Sequence, residues 1–152
     1  MELSTLIYIQ KNNQTLMLHR NKKVNDVHAG KWNGLGGKLN PGETPEECII
    51  REVKEESGLD IQAPQLKGVM TFPGFQNIED CYVFLFRATE FSGSLINSPE
   101  GELNWIDDDQ LLDLPMWAGD KLFFDWMKQD QFFSAKLEYS GEKLVSHNVV
   151  FY

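Results

Sequence analysis

The stretch from Gly37 to Leu59 constrains this chain more than any other part of its sequence. Its second half predicts a helix over Pro45–Ser57, because Thr44 and Glu47 have the spacing of a capping box and proline suits the first helical position. Gly58 is the residue type that commonly ends a helix in the left-handed conformation. Both ends of this helix are therefore marked in the sequence.

Three glutamates lie within this helix, at the spacing i, i+3 and i+4. Glu52, Glu55 and Glu56 should therefore share one face, where like charges weaken a bare helix. A hard divalent cation with oxygen ligands removes that repulsion, and Mg²⁺ is the first candidate. On these residues alone, a solvated acidic face balanced by Arg51 and Lys54 stays open as the alternative.

The sequence around these glutamates follows a longer pattern. It contains Gly37, five residues, Glu43, seven residues, and then Arg51, Glu52, Glu55, Glu56 and Gly58, with apolar residues after Glu52 and Gly58. At average residue usage, a chance match at one starting position is on the order of 10⁻⁹. The chain resembles the Nudix hydrolases of the MutT type. The resemblance implies an α/β Nudix fold, a mixed β-sheet sandwiched between helices, as a single domain over residues 1–152.

The resemblance also implies a role for each residue of the pattern. The metal ligands it implies are Glu52, Glu55 and Glu56, a backbone carbonyl at Gly36 or Gly37, and a further acid at Glu100. The catalytic residues it implies are Glu52, as the base that activates water, with Arg51 and Glu55. The implied cofactor is Mg²⁺, and Mn²⁺ is a possible substitute because hard oxygen sites accept both ions.

The charge balance limits what the chain binds. Its 14 basic and 23 acidic residues give a formal charge of −9, which argues against nucleic-acid binding. A polyanionic small molecule remains a possible substrate, because divalent ions and a few local cations reverse the local field. Lys23 and Lys38 are candidates for those cations, and ordinary solvated lysines are the alternative.

Similarity outside the helix points to the base of a nucleotide. The segment Gly30–Lys38 resembles Nudix hydrolases that act on oxidised purine nucleoside triphosphates. The resemblance implies that Asn33 and Asp120 hydrogen-bond the purine edge, while Phe72 and Trp117 wall its face. Without the resemblance, core positions are the favoured explanation of the two aromatic residues. Asn33 would then be a turn residue and Asp120 an exposed helical acid.

One departure from those relatives concerns the base. They carry two adjacent aspartates where this chain has Gly119 and Asp120. The missing acid favours 8-oxoguanine over 2-hydroxyadenine. His28 carries no functional signal and is interpreted as a loop residue.

The predicted function is hydrolysis of 8-oxo-dGTP and related oxidised nucleotides to the monophosphate and pyrophosphate, which would clear mutagenic precursors. A Nudix enzyme for ADP-ribose or another nucleoside diphosphate derivative is the alternative, although Pro73 lies off the register typical of ADP-ribose enzymes. A non-enzymatic ligand sensor is a third possibility, and the intact glutamates argue against it.

Apolar patterning predicts the remaining elements. The expected strands are Leu3–Gln10, Leu16–His19, Leu66–Phe72, Asp80–Thr89, Glu102–Ile106 and a hairpin of Phe132–Tyr139 with Leu144–Phe151; a helical turn is expected at Asp107–Leu114 and a helix at Met116–Gln129. The segment Asn21–Leu39 is expected to be a long functional loop.

The expected compartment follows from features that the sequence lacks. No apolar run has the length of a membrane span, and the start has no basic signal-peptide region. Cys48 and Cys81 have neither metal-site nor redox-site spacing. The expectation is a cytoplasmic protein, monomer or homodimer, that acts on a small-molecule nucleotide without nucleic-acid or membrane partners.

Overall fold

One mixed β-sheet runs through the centre of the protein in a computed structural model that describes residues 1–152. The strands are β1 (Glu2–Lys11), β2 (Gln14–His19), β3 (Trp32–Asn33), β4 (Asp60–Gln62), β5 (Gln65–Phe75), β6 (Glu79–Ala88), β7 (Glu90–Ser92), β8 (Glu102–Asp107), β9 (Phe133–Ser140) and β10 (Lys143–Phe151). The helices are α1 (Pro45–Ser57), a 3₁₀ helix (Asp108–Asp113) and α2 (Ala118–Met127). None of these helices has the length and apolarity needed to cross a membrane.

The main sheet has eight strands. Seven strands follow the order β10-β9-β5-β6-β1-β2-β3. The eighth strand, β8, lies outside this order and pairs with β2. The pairs β1/β6 and β5/β9 are parallel, and the others are antiparallel. β4 and β7 form a separate two-stranded sheet.

Strand alternation explains the two layers on this sheet. Ile7 and Ile9 point to one face and Tyr8 points to the other, as successive residues of a strand must. The first face packs against Ile49 and Val53 of α1. The second face packs against α2, where the ring centroids of Tyr8 and Phe124 lie 4.6 Å apart. The predicted α/β fold, with its sheet between helices, is confirmed.

The glycine-rich segment joins the sheet beside β1. β1 and β2 pair only next to their turn, and further along β1 the backbone bonds to the segment after β3 instead. The N–H of Ile7 donates to Leu35 at 2.8 Å, and that of Thr5 donates to Gly37 at 2.8 Å. The expected long loop is therefore partly ordered as β3 and as this addition to the sheet.

Helix α1 has the predicted boundaries and caps. The Glu47 N–H donates to the Thr44 hydroxyl at 3.1 Å, and the Thr44 N–H donates to the Glu47 carboxylate at 3.1 Å. Gly58 ends the helix at φ +82°, a left-handed conformation that costs glycine little. The prediction was less accurate for the second helix, which begins at Ala118 and leaves Trp117 as its N-cap residue. The two-residue and three-residue strands β3, β4 and β7 were missed.

Candidate active site

A cavity of about 660 Å³ lies between the glycine-rich segment, α1, the sheet and the start of α2. The predicted site residues that line it are Lys23, Asn33, Gly36, Gly37, Lys38, Glu52, Glu56, Phe72, Glu100, Trp117 and Asp120. Arg51 and Glu55 lie outside its lining. Glu52 and Glu56 lie beside the glycine-rich segment at one end of the cavity, and Asn33, Asp120 and the aromatic side chains lie at the other.

Arg51 holds the acidic end together. Its guanidinium contacts Glu43 through two nitrogens, at 2.7 and 2.9 Å, and donates to the Lys38 carbonyl at 3.1 Å. Its Nη1 also donates to Glu52 at 2.8 Å and lies 3.3 Å from the nearer oxygen of Glu55. One cation therefore links the loop to two carboxylates of the helix.

Glu43 is ionised at neutral pH and binds this arginine through its carboxylate. Its hydrogen bonds from Arg51 and from the Asn40 N–H lower the pKa of Glu43 to about 2. The same pairing raises the pKa of the guanidinium above its ordinary value. Both groups are charged at neutral pH, and the hydrogen bonds of Arg51 to Glu43 and to the Lys38 carbonyl attach the loop to α1.

Glu52 and Glu56 crowd together at the cavity wall. Burial and then the Glu52 charge raise the pKa of Glu56 to about 9, although the Gly36 N–H donates to its carboxyl at 3.4 Å. No three acidic, histidine or cysteine side chains converge as a preformed metal site in residues 1–152. The donor set nevertheless fits a hard divalent cation, because two crowded carboxylates are the ligands it prefers and it offsets their repulsion.

Glu55 differs from the other two glutamates in its position. Its side chain is 59% exposed and points to Arg51, while Glu52 and Glu56 line the cavity. Residues 55 and 56 lie about 100° apart around a helix, so their side chains leave the helix in different directions.

Two glycines allow the loop to approach its neighbours closely. A Cβ on Gly36 would overlap the carbonyl oxygen of Thr5, and a Cβ on Gly37 would lie 2.5 Å from the carboxyl carbon of Glu52. The Gly37 carbonyl accepts hydrogen bonds from the Thr5 N–H and hydroxyl, at 2.8 and 3.2 Å. The Gly36 carbonyl accepts no hydrogen bond from the protein.

Gly37→Ala should therefore displace the Glu52 carboxylate without disturbing the core. We expect kcat/KM to fall on the order of 100-fold, the usual cost of a 1 Å misplacement at a reacting group. Steady-state kinetics at several Mg²⁺ concentrations measures this. The control is Gly141→Asn, at an open hairpin turn with φ +60°, which asparagine tolerates. Unchanged kinetics in Gly37→Ala would show that Glu52 takes no part.

Five further ionic side chains line the mouth of the cavity, in two groups of ion pairs. Glu100 pairs with Lys23 at 2.7 Å and with Arg20 at 3.6 Å. Lys38 lies 3.8 Å from Glu2, and its side chain is 74% exposed. Arg20 was missed by the sequence reasoning, and it gives this mouth a cation that is 19% exposed.

Two polar side chains at the other end lack protein partners. Asn33 is buried, and its Oδ1 accepts no hydrogen bond. Asp120 is 7% exposed and makes no side-chain hydrogen bond, and burial raises the pKa of its carboxyl to about 7. Buried polar groups in native proteins are normally paired, so an unpaired set at a cavity indicates a ligand site.

Aromatic side chains enclose these two groups. Phe72 packs near-parallel to Tyr139, with ring centroids 6.4 Å apart. Trp117 is 4% exposed and makes edge contacts with Phe75 and Tyr139, each at 5.3 Å. Its Nε1 donates to His28 Nδ1 at 2.8 Å. Phe72 and Trp117 therefore lie at the same end of the cavity, in contact with Phe75 and Tyr139.

The structure explains the glycine at position 119. The Gly119 N–H donates to the Tyr139 hydroxyl at 2.8 Å. A Cβ there would lie 2.6 Å from Leu137 Cδ2 and 2.7 Å from that hydroxyl. A second aspartate here would require the Leu137 and Tyr139 side chains to move, and Asp120 is the single carboxyl at this end.

Sequence reasoning missed His28 and Tyr139 for the same reason. His28 contacts a residue 89 positions away, and Tyr139 contacts one 20 positions away. Neither lies in a local motif, so no signal along the chain marks them. His28, interpreted from sequence as a loop residue, is a wall residue of the cavity.

Comparison with known proteins decides the family. The family model for the NUDIX domain matches residues 2–127. The chain belongs to the Nudix family of hydrolases. Members of this family act on small nucleotide substrates and generally need a divalent metal.

Individual relatives of this Nudix protein cover nearly its whole length. It is 33% identical over 144 residues to the oxidized purine nucleoside triphosphate hydrolase of Danio rerio, covering 95% of this chain and 90% of that protein. It is 35% identical over 127 residues to an uncharacterized Nudix hydrolase of Bacillus subtilis, covering 81% and 77%. The crystal structure of a MutT protein from Bacillus halodurans superposes with a TM-score of 0.88 at 31% identity, covering 98% and 97%.

Proposed function

We propose that this protein hydrolyses oxidised purine nucleoside triphosphates, with 8-oxo-dGTP as the leading substrate, to the nucleoside monophosphate and pyrophosphate. One observation carries the proposal. A single cavity has unpartnered buried polar groups, Asn33 Oδ1 and the Asp120 carboxyl, at one end, and the crowded carboxylates Glu52 and Glu56 at the other.

The polar groups at the end of the cavity that contains Asn33 and Asp120 suit a purine base. The Asn33 amide both donates and accepts, so it pairs with a purine edge that presents one group of each kind. Asp120 supplies a further acceptor when ionised and a donor when protonated. Phe72 and Trp117 give this end apolar walls on which a base can stack. The name of the Danio rerio relative agrees with such a ligand.

The acidic end suits the phosphates together with divalent cations. The residues that would hold Mg²⁺, or Mn²⁺ in its place, are Glu52, Glu55, Glu56, Glu100 and the carbonyl of Gly36. When bound, the ion supplies positive charge that offsets the phosphate oxygens and makes water more acidic. Glu52 accepts the proton of the attacking water, and Arg51 holds the Glu52 carboxylate for that transfer.

Three basic side chains at the mouth of the cavity lie where an anionic substrate would enter. Arg20, Lys23 and Lys38 line the cavity of a chain whose formal charge is −9. Because Glu100 and Glu2 pair with these cations, the three cations and the divalent ions together would offset the charge of an anionic small molecule. The protein works as a single domain of residues 1–152, as a monomer or homodimer in the cytoplasm, with no nucleic-acid or membrane partner.

The proposal is tested by measuring kcat/KM of purified protein for 8-oxo-dGTP, dGTP and ADP-ribose with Mg²⁺ and chromatographic identification of products. We expect 8-oxo-dGTP to exceed dGTP by tenfold or more, equivalent to about 1.4 kcal/mol, and to yield monophosphate and pyrophosphate. A lead for ADP-ribose, or equal values for the two triphosphates, would contradict the base assignment. If none of the three nucleotides is hydrolysed in the presence of metal, the conclusion would be that the protein binds a ligand without catalysis.

A further inference from the structure

We propose that His28 is a positioning residue for Trp117 and sets how well the cavity distinguishes an oxidised purine, an inference that rests on the proposed function. Its Nδ1 accepts a hydrogen bond from Trp117 Nε1 at 2.8 Å. The two rings meet edge to face, with centroids 5.9 Å apart at 82°. A residue of the loop before β3 therefore determines the orientation of an aromatic wall at the start of α2.

The hydrogen bond determines which nitrogen of His28 carries the proton. Because Nδ1 accepts, the neutral ring keeps its hydrogen on Nε2. Burial, together with the Arg20 charge, lowers the pKa of His28, so the ring is neutral at pH 7. Nε2 has no protein partner, yet it keeps contact with solvent in the cavity that His28 lines.

The loop holds His28 rigidly enough to act in this way. The His28 N–H donates to the Asp26 carboxylate at 3.0 Å, and Arg20 donates to the same carboxylate at 2.8 Å. The Lys31 N–H donates to the His28 carbonyl at 3.0 Å. These bonds close a small turn whose side chain points inward.

Trp117 depends on this partner. Its side chain is 4% exposed, so no bulk water replaces a lost acceptor for the indole N–H. Lys31 Nζ lies 4.5 Å from the centre of the indole ring, and this contact does not fix the rotation of the ring in its plane. The bond to His28 does fix that rotation, because it is directional.

Two substitutions of His28 distinguish its role as a hydrogen-bond acceptor from a role in filling space. His28→Leu removes the acceptor, whereas His28→Gln retains an amide oxygen that can accept from the indole. We expect KM for 8-oxo-dGTP to rise about tenfold in His28→Leu while kcat and the KM for dGTP change little. Tenfold is the size expected for one hydrogen bond, and the KM for 8-oxo-dGTP should be largely restored in His28→Gln. His147→Leu is the matched control, because His147 lies beside Trp126 and outside the cavity.

Nuclear magnetic resonance of ¹⁵N-tryptophan-labelled protein tests the contact without any substrate. Trp117→Phe identifies the indole N–H signal of Trp117. We expect that signal to shift and to exchange faster with water in His28→Leu, and to stay near its original position in His28→Gln, while the other three tryptophan signals report that the fold is intact.

The outcomes are distinguishable. An unchanged Trp117 signal in His28→Leu overturns the positioning role. A changed signal with unchanged KM overturns the effect on base selection. If the wild-type protein turns over no oxidised nucleotide, the proposed function fails, and a shifted signal in His28→Leu still supports the contact.

Discussion

Glu56→Gln is expected to lower turnover of every nucleotide by at least about 1,000-fold, equivalent to about 4 kcal/mol of transition-state stabilisation. Glu56 is 7% exposed, lies against the Gly36 N–H and shares the cavity wall with Glu52. An amide of the same shape keeps these contacts but loses the negative charge that a divalent cation requires. Steady-state kinetics over a range of Mg²⁺ concentrations measures the loss.

The fold should survive this substitution. Burial and the neighbouring Glu52 charge raise the pKa of Glu56 and so favour its neutral form in the metal-free protein, which glutamine resembles. The melting temperature without metal should therefore equal or exceed that of the wild type. Glu46→Gln is the matched control on the exposed side of the same helix. Wild-type turnover in Glu56→Gln would exclude this glutamate as a metal ligand.

Asp120→Asn is expected to have the second largest effect, and the effect should depend on the base. A site built to hydrogen-bond a particular edge loses much affinity when a partner is changed, and we expect kcat/KM for 8-oxo-dGTP to fall about 100-fold. The value for dGTP should change far less. Parallel kinetics with both nucleotides tests this, and equal losses would remove Asp120 from base recognition.

The same substitution should stabilise the protein above neutral pH. The Asp120 carboxyl has a pKa of about 7 in the folded protein and an ordinary value of 3.8 in the unfolded chain. The folded state therefore binds the proton more tightly, and the wild type loses stability as pH rises from about 4 to about 7. Asparagine does not titrate. The free energy of unfolding of the Asp120→Asn protein should therefore exceed that of the wild type by at most about 4 kcal/mol at pH 8.

Denaturant unfolding from pH 4 to pH 8 measures that difference. We expect the two curves to meet near pH 4 and to separate as pH rises. A constant difference across this range would mean that Asp120 is ionised at low pH in the folded state as well. A gain in stability together with a loss of activity would indicate that the buried carboxyl is retained for its ligand.

Local patterns predicted much of the fold. The caps of α1 depend on residues three and four positions apart, so Thr44, Glu47 and Gly58 were sufficient to place both of its ends. The apolar residues of Leu3–Gln10 predicted the strand that the structure has as β1, because they are neighbours along the chain. The short strands β3, β4 and β7 were missed, because two or three residues carry no periodicity and only their pairing partners stabilise them.

The site divides in the same way. The spacing of Glu52, Glu55 and Glu56 indicated metal chemistry, but only the packing of α1 turned Glu52 and Glu56 into the cavity and left Glu55 on Arg51. The sequence by itself determined this helix, the acids on it and the family, because these depend on neighbours within one or two turns. Tertiary structure decided the base end, where His28 contacts Trp117 and Tyr139 occupies the space beside Gly119. Those contacts join residues far apart in the chain, and their geometry exists only after the sheet has brought them together.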